Sequence, residues 1–577
     1  MSNTPNYDAK VKAILDATTP GERTCAITGR PWVLTSKEIA LYQKHQVPPM
    51  DICHLARQWV LTTQWPGGQW WYNQHAETGK PIITAVHPAS GIRVLPDEEW
   101  YARDFSEICF DLDVAKPVFP KLIELRKLVP TSAYRNYEKT ENSISVVSLG
   151  DQNSYFVVLC RSKNTFFSVS ALDTESSAEV FNSSAITNSY QVIHCERMFN
   201  CQYVRESKDC LNSAFLFDCR NCEYCFGATN KRNKKYVWFN EQLSQSEWEK
   251  RRDQVDLGSR RVALEFRLTF DALVRKAIWP ENFNDQCQNS IGEYLTKATD
   301  CEYVWYADGG ARDEYHTSYS IGRCEGNAFS ASIVDAQDLF MASDNASSFR
   351  CKYSYLVGHC QNVEYSTDCF NCENCFGCVG LRHMKFCILN KQYSEEEYWR
   401  NLDALKCAML ERGEYGQFLP AKMSPSYFPE CGAFKYYNAD PAFGKKIGAH
   451  TFEAEAEGAI GSELSGAQEV TDSKNVPDNV DDLDGWSGKP LYDAGYKRRF
   501  SLIGPEVTLY KKLRIAPPVE HFVKRYADMC HTANLGEFIQ RPCAKCNKIV
   551  VISVNPTYPD RTIYCREDYL KFIEANG

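Results

Sequence analysis

The chain has 577 residues, 44% of them hydrophobic and 13% aromatic, with a formal charge of −9. That length suits three or four domains, the aromatic content favours strands over helical bundles, and the charge excludes a chain-wide nucleic-acid footprint. The opening MSNTPNYDAKVKAIL has no apolar signal-peptide core and no apolar run reaches membrane-spanning length, so the 26 cysteines are expected to be reduced thiols of a cytoplasmic protein.

Residues 1–105 are the first expected unit. EIALYQKHQVPPMDICHLAR at 38–57 aligns with EVTLYKKLRIAPPVEHFVKR at 506–525, an offset of 468 that holds without a gap to Tyr101 and Tyr569. One module type is therefore expected at each end. In the first copy Trp59, Trp65, Trp70 and Trp71 are the expected core. Cys25 and Cys53 lack second ligands at the CxxC spacing, where Thr28 and Ala56 stand, and are expected to be buried thiols. A helical connector is expected over 106–140.

Two repetitive regions follow, over 141–243 and 286–393. Cys351, Cys360, Cys369, Cys378 and Cys387 fall one every nine residues, and Cys201, Cys210 and Cys219 repeat the phase 150 residues earlier, continuing through Ala228 and Val237. DCRNCEYCFG at 218–227 matches DCFNCENCFG at 368–377, and the NSI at 142–144 recurs at 289–291 with offset 147. A short fixed period predicts stacked repeats. Nine residues of strand run about 30 Å and cannot close a coil alone, so two such passes predict a flattened coil of about 18 residues, with ladder positions alternating between two facing sheets. A narrow interior favours thiols as small side chains.

Each half ends on a capping-box signal, Ser244 to Glu247 and Ser394 to Glu397. The first opens a helical brace over 244–285, in which Leu264, Leu268, Leu273 and Ala277 recur at helical spacing. The second opens a capping helix over 394–412. The stretch 413–490 is acidic and poor in large apolar residues towards its end, and is expected to be a linker.

Within the repeats, Cys369, Cys372, Cys375 and Cys378 form a string like that of an iron–sulfur protein, without the longer final gap and following proline; structural thiols are expected. His194 beside Cys195, His359 beside Cys360 and His383 near Cys387 are the nearby histidines; adjacent residues on a strand point to opposite faces, so His194–Cys195 is not automatically a dyad. Asp300, Asp308, Asp313, Glu314, Asp335 and Asp338 are the carboxylates from which a glycan-cleaving pair could be drawn; solvated turn positions are the expectation. No P-loop, GxGxxG after a strand or HExxH occurs, and no catalytic residue is assigned.

The last unit, 491–577, carries the chemistry. Cys543-x2-Cys546 and Cys565-x2-Asp568 are two short-spaced ligand pairs, the layout of a structural zinc site, with one Zn²⁺ expected. KIVVISVNPTYPDRTIY reads as a hairpin and DYLKFI as the start of a helix, a zinc-ribbon or treble-clef shape. The matching N-terminal positions are His75, Thr78, Asp97 and Trp100, so that copy is expected to be metal-free. This unit has 14 Lys/Arg and nine Asp/Glu, with clusters at Lys497-Arg498-Arg499 and Lys511-Lys512-x-Arg514 beside Tyr496, Phe500 and Tyr510. Such a basic module on an acidic body suits RNA, DNA or an acidic protein face.

NCENCFGCVGLRHMKFCILNKQYSEEEY at 371–398, the EIALYQK and EVTLYKK segments and CAKCNK at 543–548 together resemble an uncharacterised bacterial family, familiar from candidate-phylum bacteria, of cysteine-repeat proteins flanked by probable zinc-ribbon domains. The resemblance implies paired cysteines in both ribbons; Thr28, Ala56, Thr78, Asp493 and Asp568 stand where those cysteines belong.

The expected fold is thus mainly β: a duplicated β-solenoid of ~9-residue half-coils with helical caps and a zinc-ribbon or treble-clef module at each end. The expected function is non-enzymatic binding or scaffolding, with RNA or a ribosome-like particle contacted through 491–577, no membrane association and room for a homo-oligomer. The alternative is a hydrolase or lyase acting on a glycan along the solenoid face.

Overall fold

The computed structural model describes residues 2–451 and 470–577. Strand makes up 30% and helix 26%, and most of the strand lies in two parallel stacks. In the first, a 13-stranded sheet, successive strands pair twelve residues apart. Val180 sits beside Val192, Val192 beside Val204, Val204 beside Leu216, and Leu216 beside Ala228. The second stack keeps a twelve-residue step over much of its length, as from Val363 to Cys375 to Cys387.

The chain turns at every third residue. Tyr203, Glu206, Asp209, Asn212, Phe215, Asp218, Asn221 and Tyr224 all have φ between 48° and 59°. A left-handed residue with a side chain ordinarily costs about 1–2 kcal/mol. Asn and Asp, which tolerate that conformation, take many of the corners. Hydrogen bonds between rungs hold the others: Glu206 N–H donates to Ile193 C=O at 3.0 Å and Tyr224 N–H to Leu211 C=O at 3.2 Å. A rung is therefore four sides of three residues, with one inward position per side.

This corrects the expected nine-residue half-coil. Nine residues are three sides, so each ladder cysteine lies one side back from the last and one rung on. Inward thiols find a backbone carbonyl nine residues on, whether or not that residue is a cysteine, as Cys219 does at Ala228. The Cys201 thiol donates to the Cys210 carbonyl at 3.4 Å, Cys360 to Cys369 at 3.4 Å and Cys378 to Cys387 at 3.6 Å. Inward amides need acceptors as well, since an unpaired buried N–H is costly. Those of Cys195, Cys201, Cys219 and Cys225 donate to Ser183, Ser189, Ser207 and Ser213 Oγ, each twelve residues earlier, at 3.0–3.1 Å.

The two stacks pack side by side. His194 lies 3.7 Å from Tyr294 in a parallel stack, Tyr319 Oη donates to Asn182 Oδ1 at 2.8 Å, and Tyr294 Oη to Glu206 Oε1 at 2.7 Å. The N-terminal unit rests on the second stack, where Arg57 covers Phe329 at 4.3 Å and Trp65 Nε1 donates to Ser343 Oγ at 2.9 Å. Trp59, Trp65, Trp70 and Trp71 are buried. The C-terminal unit rests on the first stack, where Arg525 pairs with Glu179 and Phe522 stacks on Phe167 at 5.0 Å. The arrangement is crossed but matched. Arg232 donates to Tyr569 Oη at 3.1 Å, and Arg382, 150 residues on, lies 4.9 Å from the ring of Tyr101, 468 residues before Tyr569.

Helices close the stacks. Ser394 and Glu397 form a full capping box on the helix Glu395–Glu411, and Ser244 caps Gln245–Arg252. The Arg260–Lys276 helix departs from expectation: it buries Ala263, Phe270 and Val274, while Leu264 and Leu268 face solvent. The expected linker 413–490 is also corrected on both sides of residues 452–469: Val476, Val480 and Leu483 are buried in a core with Leu491 and Leu502. It contains the helices Gly432–Tyr437 and Pro441–Lys446 and places Phe428, Tyr436, Tyr437 and Phe443 in the core, because aromatic side chains spaced along it fill the junction of both units with the second stack. The acidic residues 452–469 lie outside the described residues.

Candidate metal centre

Strands Phe538–Pro542 and Ile549–Ser553 pair antiparallel, and the turn between them carries Cys543 and Cys546. Cys543 N–H donates to Lys548 C=O at 2.8 Å, and Asn547, at φ 61°, closes the knuckle with its N–H on Cys543 C=O at 2.9 Å. Cys565 is the residue before the helix Arg566–Asn576, and Asp568 lies in that helix's first turn. Its carboxylate therefore sits where the helix dipole favours negative charge.

These elements bring the four expected ligands together. One atom from each of Cys543, Cys546, Cys565 and Asp568 lies within 4.8 Å of all the others, and this is the one such convergence among the described residues. Cys546 Sγ is 3.7 Å from Cys565 Sγ, and Asp568 Oδ2 is 3.3 Å from both Cys543 Sγ and Cys565 Sγ. A tetrahedron with metal–sulfur bonds of about 2.3 Å has sulfur–sulfur edges of about 3.8 Å, so the set could hold a metal ion. Burial opposes ionisation of the Cys543 thiol, but the amides of Cys565, Cys546 and Lys545 hold it below its ordinary range. Bonds from the Cys546 and Cys565 thiols lower the Asp568 carboxyl, and the same Asp568 contact pushes Cys546 up to about 12.

The knuckle occurs four times among the described residues. The turns at Cys25, His75, Asp493 and Cys543 each close an antiparallel hairpin, and an alanine follows each: Ala26, Ala76, Ala494 and Ala544. The first side chain accepts from an amide three residues on in the other three copies: Thr28 N–H to Cys25 Sγ at 3.4 Å, Thr78 N–H to His75 Nδ1 at 3.3 Å and Tyr496 N–H to Asp493 Oδ1 at 3.0 Å. The helix side matches too. Cys565 N–H donates to Cys543 Sγ at 3.2 Å, and His521 N–H donates to Asp493 Oδ2 at 2.9 Å.

The three other copies spend these groups on hydrogen bonds. Asp97 accepts from the amides of Tyr134, Arg135 and Asn136 at 3.0, 3.1 and 2.8 Å, and also from Ser132 Oγ. His75 Nε2 lies 3.2 Å from Glu99, and Trp100 Nε1 donates to Pro130 C=O at 2.9 Å. Cys25 and Cys53 are buried, with Thr28 Oγ1 3.8 Å from Cys53 Sγ.

The remaining sequence candidates fall apart spatially. Glu314 is fully buried inside the second stack and accepts from Thr317 Oγ1, Ser320 Oγ and Asn327 Nδ2 at 2.5, 2.6 and 2.7 Å. Burial pushes its carboxyl upward, and it presents nothing to an outer face. Asp300, Asp313, Asp335 and Asp338 are left-handed corner residues. Cys195 points inward while His194 stacks outward on Tyr294, so they are no dyad. Among the described residues no helix is long and apolar enough to cross a membrane. No protein-family model, curated protein or solved structure matches the chain.

Proposed function

We propose that the protein is a non-enzymatic binding scaffold: two closed β-solenoids related by duplication, carrying a zinc-bearing module that contacts RNA. Three thiols and one carboxylate at tetrahedral spacing are a donor set that suits Zn²⁺, and with no open fourth position the ion would be structural, tying the hairpin to the helix. The element correspondence at offset 468 and the matched Arg232–Tyr569 and Arg382–Tyr101 contacts support the duplication. The family of cysteine-repeat proteins with flanking ribbons is the one this organisation fits.

The observation that carries the RNA reading is the set of exposed cations on the knuckle and the helix that follows it. Lys545, Lys548, Arg566 and Lys571 are all exposed. None forms an ion pair among the described residues, whereas Arg498 and Arg525 of the same unit are buried against Glu430 and Glu179. Unpaired surface cations are what a phosphate backbone neutralises, with release of counterions. The full chain is expected to bind single-stranded RNA with affinity that falls steeply with salt. Lys545→Glu with Lys548→Glu should weaken binding across sequences and flatten the salt slope by about 0.7 per cation removed. Salt-independent binding, or none, would remove the RNA reading and leave the zinc reading to metal analysis, where one zinc and no iron per chain is expected.

A further inference from the structure

The Arg260–Lys276 helix has two faces of different character. One lays Ala263, Phe270 and Val274 against the first stack. The other leaves Leu264 and Leu268 53% and 61% exposed. These leucines are one turn apart and exposed Ala272 continues the same stripe. Exposed Arg261 stands before the stripe, and exposed Arg275 and Lys276 stand after it. Arg261 and Arg275 are separated by about 21 Å along the axis, at about 1.5 Å per residue. The helix carries five Lys/Arg against two Asp/Glu.

A single exposed leucine needs no explanation. Here the core is already closed by the opposite face, so the leucine pair adds nothing to this fold. An apolar stripe bracketed by cations has the layout of a helix-docking surface, in which apolar anchors supply affinity and flanking charges select the partner. We propose that this face docks an acidic amphipathic helix of a partner protein. Its apolar side chains would cover Leu264 and Leu268, and carboxylates about four turns apart would meet Arg261 and the Arg275–Lys276 end. The cations disfavour a basic helix, and the leucines would be wasted on a phosphate backbone. None of these residues belongs to the set of exposed cations on the knuckle and the helix that follows it.

The test is fluorescence anisotropy of the full chain with a labelled helical peptide bearing a Leu pair one turn apart and Glu at both ends. Its Lys-ended counterpart and anionic phosphatidylserine vesicles serve as further probes. Saturable binding of the Glu-ended peptide is expected, weakened at least about tenfold by Leu264→Glu with Leu268→Glu, and made less salt-sensitive by Arg261→Glu. Unchanged metal content and circular dichroism show that the variants fold. The proposal is overturned if the Glu-ended peptide fails to bind, if the leucine variant binds it equally, or if it binds no better than the Lys-ended peptide. It is likewise overturned if the same leucines instead govern vesicle binding or a concentration-dependent dimer seen by light scattering.

Discussion

The knuckles at Cys543 and His75 follow the same backbone path 468 residues apart, yet they are held by different forces. At Cys543 three sulfurs and a carboxylate oxygen converge on a common point. At His75 the ring nitrogens are taken by local amides and Glu99, and Asp97, the counterpart of Cys565, is the hub for a neighbouring loop. The comparison teaches that a hairpin turn of this kind does not need a four-donor cluster once each donor it leaves open finds another partner. Asp493 makes the same point at a third turn, where a carboxylate accepts the amides that the Cys543 sulfur accepts at its own turn.

Removing a ligand tests the contrast most severely. Cys546→Ser should abolish metal binding and cost on the order of 5 kcal/mol locally. Hydrogen exchange over 538–577 would report it, while Thr78→Ala leaves metal content untouched. A melting temperature insensitive to chelator would break the comparison.

A second test concerns docking. The C-terminal unit also meets the second stack, through a buried carboxyl: Glu293 accepts from Asn534 Nδ2 at 3.1 Å, and burial raises it to about 7. Its folded value lies above the unfolded one, so the stability it contributes is full below about pH 4.3 and is lost as the pH rises through its folded value. Over that window stability should fall by about 4 kcal/mol. Glu293→Gln should flatten that part of the denaturation profile; an unchanged slope would assign the pH dependence elsewhere.

At the N-terminal knuckle, Asp97→Asn should cost about 2 kcal/mol, because one amide side chain cannot replace a carboxylate serving four donors. His75→Ala should cost about 1 kcal/mol, with one metal per chain retained in both. Equal losses at Asp97 and Cys546 would erase the distinction between the two turns.

Much of this was legible in the residues. The two offsets, the caps at Ser244 and Ser394 and the ligand set at 543–568 rest on local spacing, which survives folding intact. The period of the stacks is masked in the sequence because the visible cysteine ladder marks a diagonal rather than a rung. The true period was present in Ser207 to Cys219, Ser213 to Cys225, Ser348 to Cys360 and Ser366 to Cys378, each twelve apart and each joined by an amide bond to the serine oxygen. Two of the knuckles are also visible in Thr28-Gly-Arg-Pro31 and Thr78-Gly-Lys-Pro81, where no second cysteine stands at the CxxC position to mark the turn. The orientation of the Arg260–Lys276 helix was not legible, since Leu264, Leu268, Phe270 and Val274 are all apolar and only the stack beneath decides which are covered.

The rung also acts as a vernier for chain length. Gln152 to Lys163 to Glu175 climbs two rungs in the first stack, and Thr299 to Arg312 to Glu325 climbs two in the second with three more residues. The longer path contains Gly309, Gly310 and Gly322, all with φ between 80° and 105°. Added length is thus confined to corners, where glycine takes up the turn, and the columns beyond resume their phase, which is why the matching offset shifts from 147 to 150 along the chain. A stack built this way can gain a residue without turning its interior inside out, and the corner at Gly309–Gly310 is the place where a foreign loop could be grafted with the thiol columns left in register.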